Sequence, residues 1–282
     1  ASMTSLFYVL PCGESLLRLI LRSNNGRAMN EYLIRTKDIH KFFAEVHALN
    51  GINLAIGHNE IVGLVGDNGA GKSTLVKILG GVYPWDKGDI YVEGKNVNKS
   101  AYSVQKAREY GIETVYQERA LTEKQSLWRN IFMGRELTTR LGLLRIRDMK
   151  EQTDKVMRGR LGFTSSAVAA DLRVKTFSGG EKEGVAIARA LLFKANLVIL
   201  DEPTMGLSVL EIEEVLKFVQ ELKTMNKSCL FITHNILHVY PVADRFVLLD
   251  RGGVIDEFEK RGTSIESIED KMVRAARRRI DA

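Results

Sequence analysis

Apolar residues fall along this chain in two rhythms. In residues 32–35, 46–49 and 52–56 they come in short alternating stretches closed by a turn at Gly57, His58 and Asn59, which predicts antiparallel strands. Residues 89–92, followed by a turn at Gly94, predict a further hairpin. Elsewhere the apolar runs are unbroken, at 61–65, 197–200 and 229–232, and each reads as a strand buried on both faces, while Ile112, Glu113, Thr114 and Val115 read as a further strand. Segments 245–250 and 254–258 close the sheet, while helical spacing marks 75–79, 100–110, 182–194 and 209–225, the last with glutamates on one face. From 121 to 175 no strand pattern occurs, and Leu127, Ile131 and Phe132 at helical spacing predict a helical insertion. Strands alternating with helices imply an α/β fold with a doubly wound parallel core.

Between the run at 61–65 and the helix at 75–79 stand Gly66, Asp67, Asn68, Gly69, Ala70, Gly71, Lys72, Ser73 and Thr74. This is Gly-x-x-x-x-Gly-Lys-Ser in its strand–loop–helix context, the phosphate-binding P-loop. Glycines let the backbone wrap closely enough for amide N–H groups to reach phosphate oxygens, and the helix adds its positive N-terminal end. Lys72 is expected to reach the β- and γ-phosphates, and the Ser73 hydroxyl to bind the Mg²⁺ that bridges them. A nucleotide triphosphate with Mg²⁺ is therefore the expected ligand. No motif has a second copy, so one nucleotide domain is expected.

Other chemistry-bearing residues fall at strand ends. Asp201 and Glu202 close the run at 197–200, where α/β proteins place ligands. Asp201 is expected to hold Mg²⁺ and Glu202 to orient and polarise the attacking water. Gln117 ends the 112–115 strand and offers an amide oxygen to Mg²⁺; His234 ends the 229–232 strand and offers a γ-phosphate contact. His234 and His238 have the spacing of a zinc-protease helix, but Asn235 stands where that motif needs its glutamate. Asp250, Gly252 and Gly253 lie in a short GTPase-like pattern, but the guanine-reading Asn-Lys-x-Asp is absent, Asn226, Lys227 and Ser228 being followed by Cys229. Phe43, just upstream of the P-loop, is expected to stack on adenine, the alternative being a core phenylalanine.

Composition narrows the class without changing it. The 282 residues, 45% hydrophobic and 27% charged, suit a globular protein able to bury its own core. The longest apolar stretch near the N-terminus is broken by Arg18, so nothing spans a membrane by itself. Net charge is +6, but part of the excess sits in the tail at Arg274, Arg277, Arg278 and Arg279, and no basic run interleaves with aromatics; direct nucleic-acid binding is not expected. Two cysteines, Cys12 and Cys229, fit a reducing compartment. Residues 1–30 read as a leader or upstream extension, with Met29 a natural start, and residues 259–282 as a basic tail.

The P-loop, Gln117, then Phe177, Ser178, Gly179, Gly180 and Glu181, then Asp201, Glu202 and His234 fall in the order of the ATP-binding-cassette ATPases, which this chain resembles over residues 31–258. Ser178-Gly179-Gly180 discriminates, since other P-loop families lack it. The resemblance implies a RecA-like core with a parallel sheet, a small antiparallel β subdomain and a helical subdomain at about 121–176. It also implies a head-to-tail dimer with two ATP molecules at the interface, Ser178, Gly179, Gly180 and Glu181 of one copy meeting the nucleotide held by the other. Because this signature precedes a helix, its N–H groups would form a second anion site. Two departures stand out: the signature ends in Glu181 where Gln is usual, and Met205, Gly206, Leu207 and Ser208 replace a loop that usually ends in Asp.

Within that family the chain is similar to ATPases of monosaccharide importers, through Leu79–Pro84, Gly111–Gln117, Asn130–Arg135 and Glu183–Arg189. The resemblance thus implies ATP hydrolysis on the cytoplasmic face of the cell membrane, driving a separate transmembrane permease and, through it, an extracytoplasmic solute-binding protein. The alternatives are a non-transport member acting on ribosomes, iron–sulfur assembly or DNA, and a slow regulatory module.

Overall fold

The computed structural model describes residues 32–116, 121–160 and 169–280. Gln117 and the N-terminal segment, Cys12 included, lie outside the described residues.

The described residues open with β1 (Tyr32–Phe43), β2 (Val46–Ile52) and β3 (Ala55–Gly57). It continues through β4 (Ile61–Val65), α1 (Lys72–Leu79), β5 (Lys87–Val92), β6 (Lys95–Asn96), α2 (Val104–Glu109) and β7 (Ile112–Val115). The insertion holds α3 (Leu127–Phe132) and α4 (Ile146–Arg160), after which come α5 (Gly179–Leu192), β8 (Leu197–Asp201) and α6 (Val209–Thr224). The chain ends with β9 (Ser228–Thr233), α7 (Ile236–Val239), β10 (Arg245–Asp250), β11 (Gly253–Glu259) and α8 (Ile265–Ile280).

Six strands form the central sheet in the order β11-β10-β4-β9-β8-β7, parallel except for the antiparallel edge strand β11. The unbroken apolar runs follow from its two covered faces. Val62, Leu64, Leu230, Ile232, Leu197 and Ile199 pack towards α1 and the second sheet, while Val65, Phe231, Val198 and Leu200 pack in the cluster that holds α5 and α6 side chains. That second sheet, in the order β2-β1-β5-β6 with β3 also on β1, is antiparallel throughout.

Several elements depart from the sequence pattern for local reasons. Strand β1 runs on through Lys41, Phe42 and Phe43, because it pairs with β2 along one edge and β5 along the other. The apolar stretch at 52–56 splits into two strands. There the Thr36 hydroxyl accepts from the Leu54 N–H at 2.8 Å, and the Asn53 side chain accepts from the Asp38 N–H at 3.1 Å, so side chains replace ladder bonds at the corner. The basic tail is not a loose end from its start: α8 buries Ile268, and Lys271 bonds Asp256 at 2.6 Å with its ammonium 4.2 Å from the Phe258 ring.

The helical insertion is tied down at its entrance by Asn130, wholly buried, whose side chain accepts from the Thr122 N–H at 2.7 Å and donates to the carbonyls of Thr122 and Ser126. Beneath it Glu113 of β7 accepts from Arg135 of the insertion, with Arg108 3.9 Å away.

Candidate functional site

Parallel pairing brings three strand ends to one edge. Val65 pairs with Thr233, and Asp201 with Ile232, so the P-loop, the two carboxylates and His234 leave the sheet at the same level. This is the carboxyl edge where doubly wound sheets hold ligands.

The P-loop is walled by neighbouring backbone. Gly252 N–H donates to the Ala70 carbonyl at 2.9 Å, and Asn50 N–H to the Gly252 carbonyl at 2.7 Å, which pins β2 and the β10–β11 turn against the loop. Gly71, the N-cap of α1, has φ +103°, and a Cβ there would lie 2.8 Å from Leu49 Cδ2 and 2.9 Å from the Ala48 carbonyl oxygen. Only glycine meets both demands without strain. The Lys72 ammonium is buried and donates to the carbonyls of Gly66 at 2.7 Å and Asp67 at 2.9 Å, so the loop is closed around its own cation. Ser73 and Asn68 are exposed at the mouth.

Asp201 is 5% exposed, and its Oδ1 is buried with no hydrogen-bond partner. Its carboxyl is pushed up to about 6 by burial first and by Glu202 second, against the opposing pull of Lys72 and Lys77. A buried carboxylate oxygen without a donor fits a hard cation, whose charge reverses the cost of that burial. The residues present thus suit Mg²⁺, with Asp201 and Ser73 as its oxygen donors.

Glu202 has φ +51°, a left-handed conformation that costs a non-glycine residue about 1–3 kcal/mol. It is held there by Glu202 N–H donating to the Ile232 carbonyl at 3.0 Å, across to β9. Its Oε1 accepts from the His234 N–H at 3.0 Å and lies 2.9 Å from His234 Nδ1. With Glu202 ionised, Nδ1 carries the proton, and Nε2 is the ring nitrogen turned to other partners. The Glu202 side chain is 9% exposed and the His234 side chain 48% exposed, so the pair has a sheltered carboxylate and an open ring.

Phe43 is 40% exposed, which removes the core alternative, and leans edge-on against Tyr83 with ring centroids 5.4 Å apart. Ser178 caps α5 in a reciprocal box: its hydroxyl accepts from the Glu181 N–H at 3.1 Å, and Glu181 Oε2 accepts from the Ser178 N–H at 2.8 Å. The N–H groups of this turn are therefore not open, as the position ahead of a helix suggested. Gly179 N–H also has an acceptor, Glu211 Oε1, at 2.6 Å.

A family model for the ABC transporter matches residues 49–205. The chain belongs to the ABC transporter family. This ABC protein is 41% identical, over 85% of its length, to the xylose/arabinose import ATP-binding protein XylG of Sulfolobus acidocaldarius, and covers 93% of that relative. It is 37% identical, over 80% of its length, to the galactofuranose transporter ATP-binding protein YtfR of Escherichia coli strain K12 and spans only 44% of it. Its fold is similar to an ATP-binding cassette of an ABC transporter in its ADP conformation, with TM-score 0.72 and 23% identity over 89% of this chain and 99% of that one. Membership makes ATP the nucleotide and ATP hydrolysis the reaction.

Two residues of the ABC site were not singled out from sequence. His238 reads there only as a zinc partner of His234. Instead its Nδ1 lies 2.9 Å from the Thr204 hydroxyl and its Nε2 3.1 Å from the Asn235 amide, and no cluster of metal-binding side chains occurs among the described residues. Burial first, then His234, holds the His238 ring below its ordinary pKa, so it braces the turn after Glu202 as a neutral group. Glu211 is the other; its place in a Ser-x-x-Glu box at Ser208 was a visible helix-start signal, but its bond to Gly179 was not.

Proposed function

We propose that this ABC ATPase energises import of a small solute, a simple sugar, through a separate membrane permease, and works as a head-to-tail pair of cassettes. The observation that carries the catalytic part is the Glu202–His234 pair beside the partnerless oxygen of Asp201, all at the P-loop edge. The sugar rests on the relatives, whose names are those of xylose/arabinose and galactofuranose transport proteins.

In this reading the P-loop residues 66–74 hold the triphosphate, with Lys72 exchanging its loop carbonyls for β- and γ-phosphate oxygens. Asp201, Ser73 and Gln117 hold Mg²⁺, which when bound neutralises charge on those phosphates. Glu202 draws the proton from the attacking water, and His234, fixed by Glu202, presents its ring to the γ-phosphate. Phe43 stacks on adenine. Ser178, Gly179, Gly180 and Glu181 serve the nucleotide of the other copy. The protein sits on the cytoplasmic face of the membrane as a peripheral subunit; no helix among the described residues is long and apolar enough to cross it. A solute-binding protein outside would deliver the sugar to the permease.

Copurification with the permease, followed by an ATPase screen across sugars, tests the whole reading. Sugar-stimulated, Mg²⁺-dependent turnover in the complex is expected. Turnover unaffected by permease and sugar, with cofractionation on ribosomes or DNA, would replace it with the non-transport alternative.

A further inference from the structure

The first turn of α6 is aimed at the first turn of α5. Glu211 Oε1 accepts the Gly179 N–H at 2.6 Å, while its Oε2 accepts from Ser208 N–H and from the Ser208 hydroxyl, both at 2.9 Å. Those donors, Ser208 first, then Gly179 and Gly180, hold the Glu211 carboxyl below its ordinary range. Glu214 of the same helix lies against Gly180, where a Cβ would come 2.5 Å from its Oε2. Burial, and then Glu181 and Glu211, push the Glu214 carboxyl up, which registers how closely negative charge is packed here. Glu181 meanwhile takes the Ser178 N–H. Three carboxylates thus surround one helix N-terminus, whose dipole and N–H groups would otherwise favour a single anion.

We propose that Glu211 is an internal competitor for this turn, so that two copies close on ATP only when its carboxylate yields the Gly179 amide. The inference rests on the reading of Ser178–Gly180 as the half-pocket that meets the other copy's γ-phosphate. A phosphate arriving there meets donors already bound to an ionised group and repulsion from that group's charge. Because the same carboxylate holds Ser208, its release also frees the 205–208 loop, so the signature turn and that loop change state together.

The test uses the full chain in a Glu202→Gln background, which slows hydrolysis, and reads dimer formation by light scattering against ATP concentration. Glu211→Gln keeps an acceptor on the Gly179 amide but removes the charge and, its nitrogen being a donor only, the acceptor that Oε2 gives the Ser208 N–H. It is expected to lower the ATP concentration for half-maximal dimerisation by about tenfold, the worth of one charged hydrogen bond. Glu213→Gln, exposed on the same helix, is expected to leave it unchanged. If Glu202→Gln dimerises with ATP but Glu211→Gln does so at the same or higher ATP, the competitor role is overturned and the shared pocket stands. If Glu202→Gln forms no ATP-dependent dimer, the shared pocket fails and this inference with it. Should Glu211→Gln unfold below assay temperature, Glu214→Gln, which leaves every amide bond in place, is expected to shift the midpoint in the same direction by a smaller factor; no shift overturns the proposal.

Discussion

His234 Nδ1 lies 2.9 Å from Glu202 Oε1, and the same oxygen accepts the His234 backbone N–H at 3.0 Å. One carboxylate oxygen therefore fixes both the chain direction and the ring of the histidine, while Glu202 itself is held in a left-handed conformation at φ +51°. Replacing Glu202 by Gln keeps an acceptor for the backbone N–H but removes the carboxylate proposed as the base. The expected variant binds ATP with near-native affinity, accumulates as an ATP-bound dimer, and turns over roughly 100-fold or more slowly. Unimpaired single-turnover hydrolysis would take the base role away from Glu202.

His234→Ala is expected to lose turnover by a similar factor while keeping the fold, since the ring is half exposed and packs into no core. A melting temperature lowered along with activity would point to a structural role instead.

Asp201 supplies the pH dependence. Its folded-state pKa is raised to about 6 from the ordinary 3.8, so the folded protein binds this proton more tightly than the unfolded chain does. Stability from this group is greatest at low pH and is lost as pH rises from about 4 through 6, by up to about 3 kcal/mol without metal. Asp201→Asn is expected to melt at a higher temperature than the parent at pH 8 in chelator, and at the same temperature near pH 4. Mg²⁺ stabilisation of the ATP-bound parent should fade as pH drops below about 6 and be absent in the variant. A pH-independent difference between the two proteins would show that Asp201 is not strained by its burial.

Phe43 tests recognition of the base. Phe43→Ala removes an exposed ring, so thermal stability should change little, while ATP affinity falls about three- to tenfold, the range of one aromatic stack. Equal affinities for ATP and inorganic triphosphate in the parent would argue against any stacking partner.

Asn130 tests the seating of the helical insertion. Its wholly buried amide bonds Thr122 on both backbone groups and the Ser126 carbonyl, so Asn130→Ala strands buried polar groups and should cost about 2–4 kcal/mol. A cost below 1 kcal/mol in denaturant melts would mean water replaces the amide freely.

Much of this protein was legible without coordinates because the relevant physics is short-ranged. A strand covered on both faces must be apolar nearly throughout, so the runs at 61–65, 197–200 and 229–232 announce β4, β8 and β9. A loop that wraps an anion needs glycines and a lysine within a few positions, so the P-loop reads directly. What only the tertiary structure decided is which distant groups meet. Glu202 and His234 are 32 positions apart, and Gly179 and Glu211 likewise; each pair forms because of how strands or helices are ordered side by side. That order is set by burial summed over the whole core, not by any local window. The same holds for the partnerless oxygen of Asp201 and for the left-handed backbone of Glu202: both are costs carried by surrounding packing, and no spacing of residue types records them.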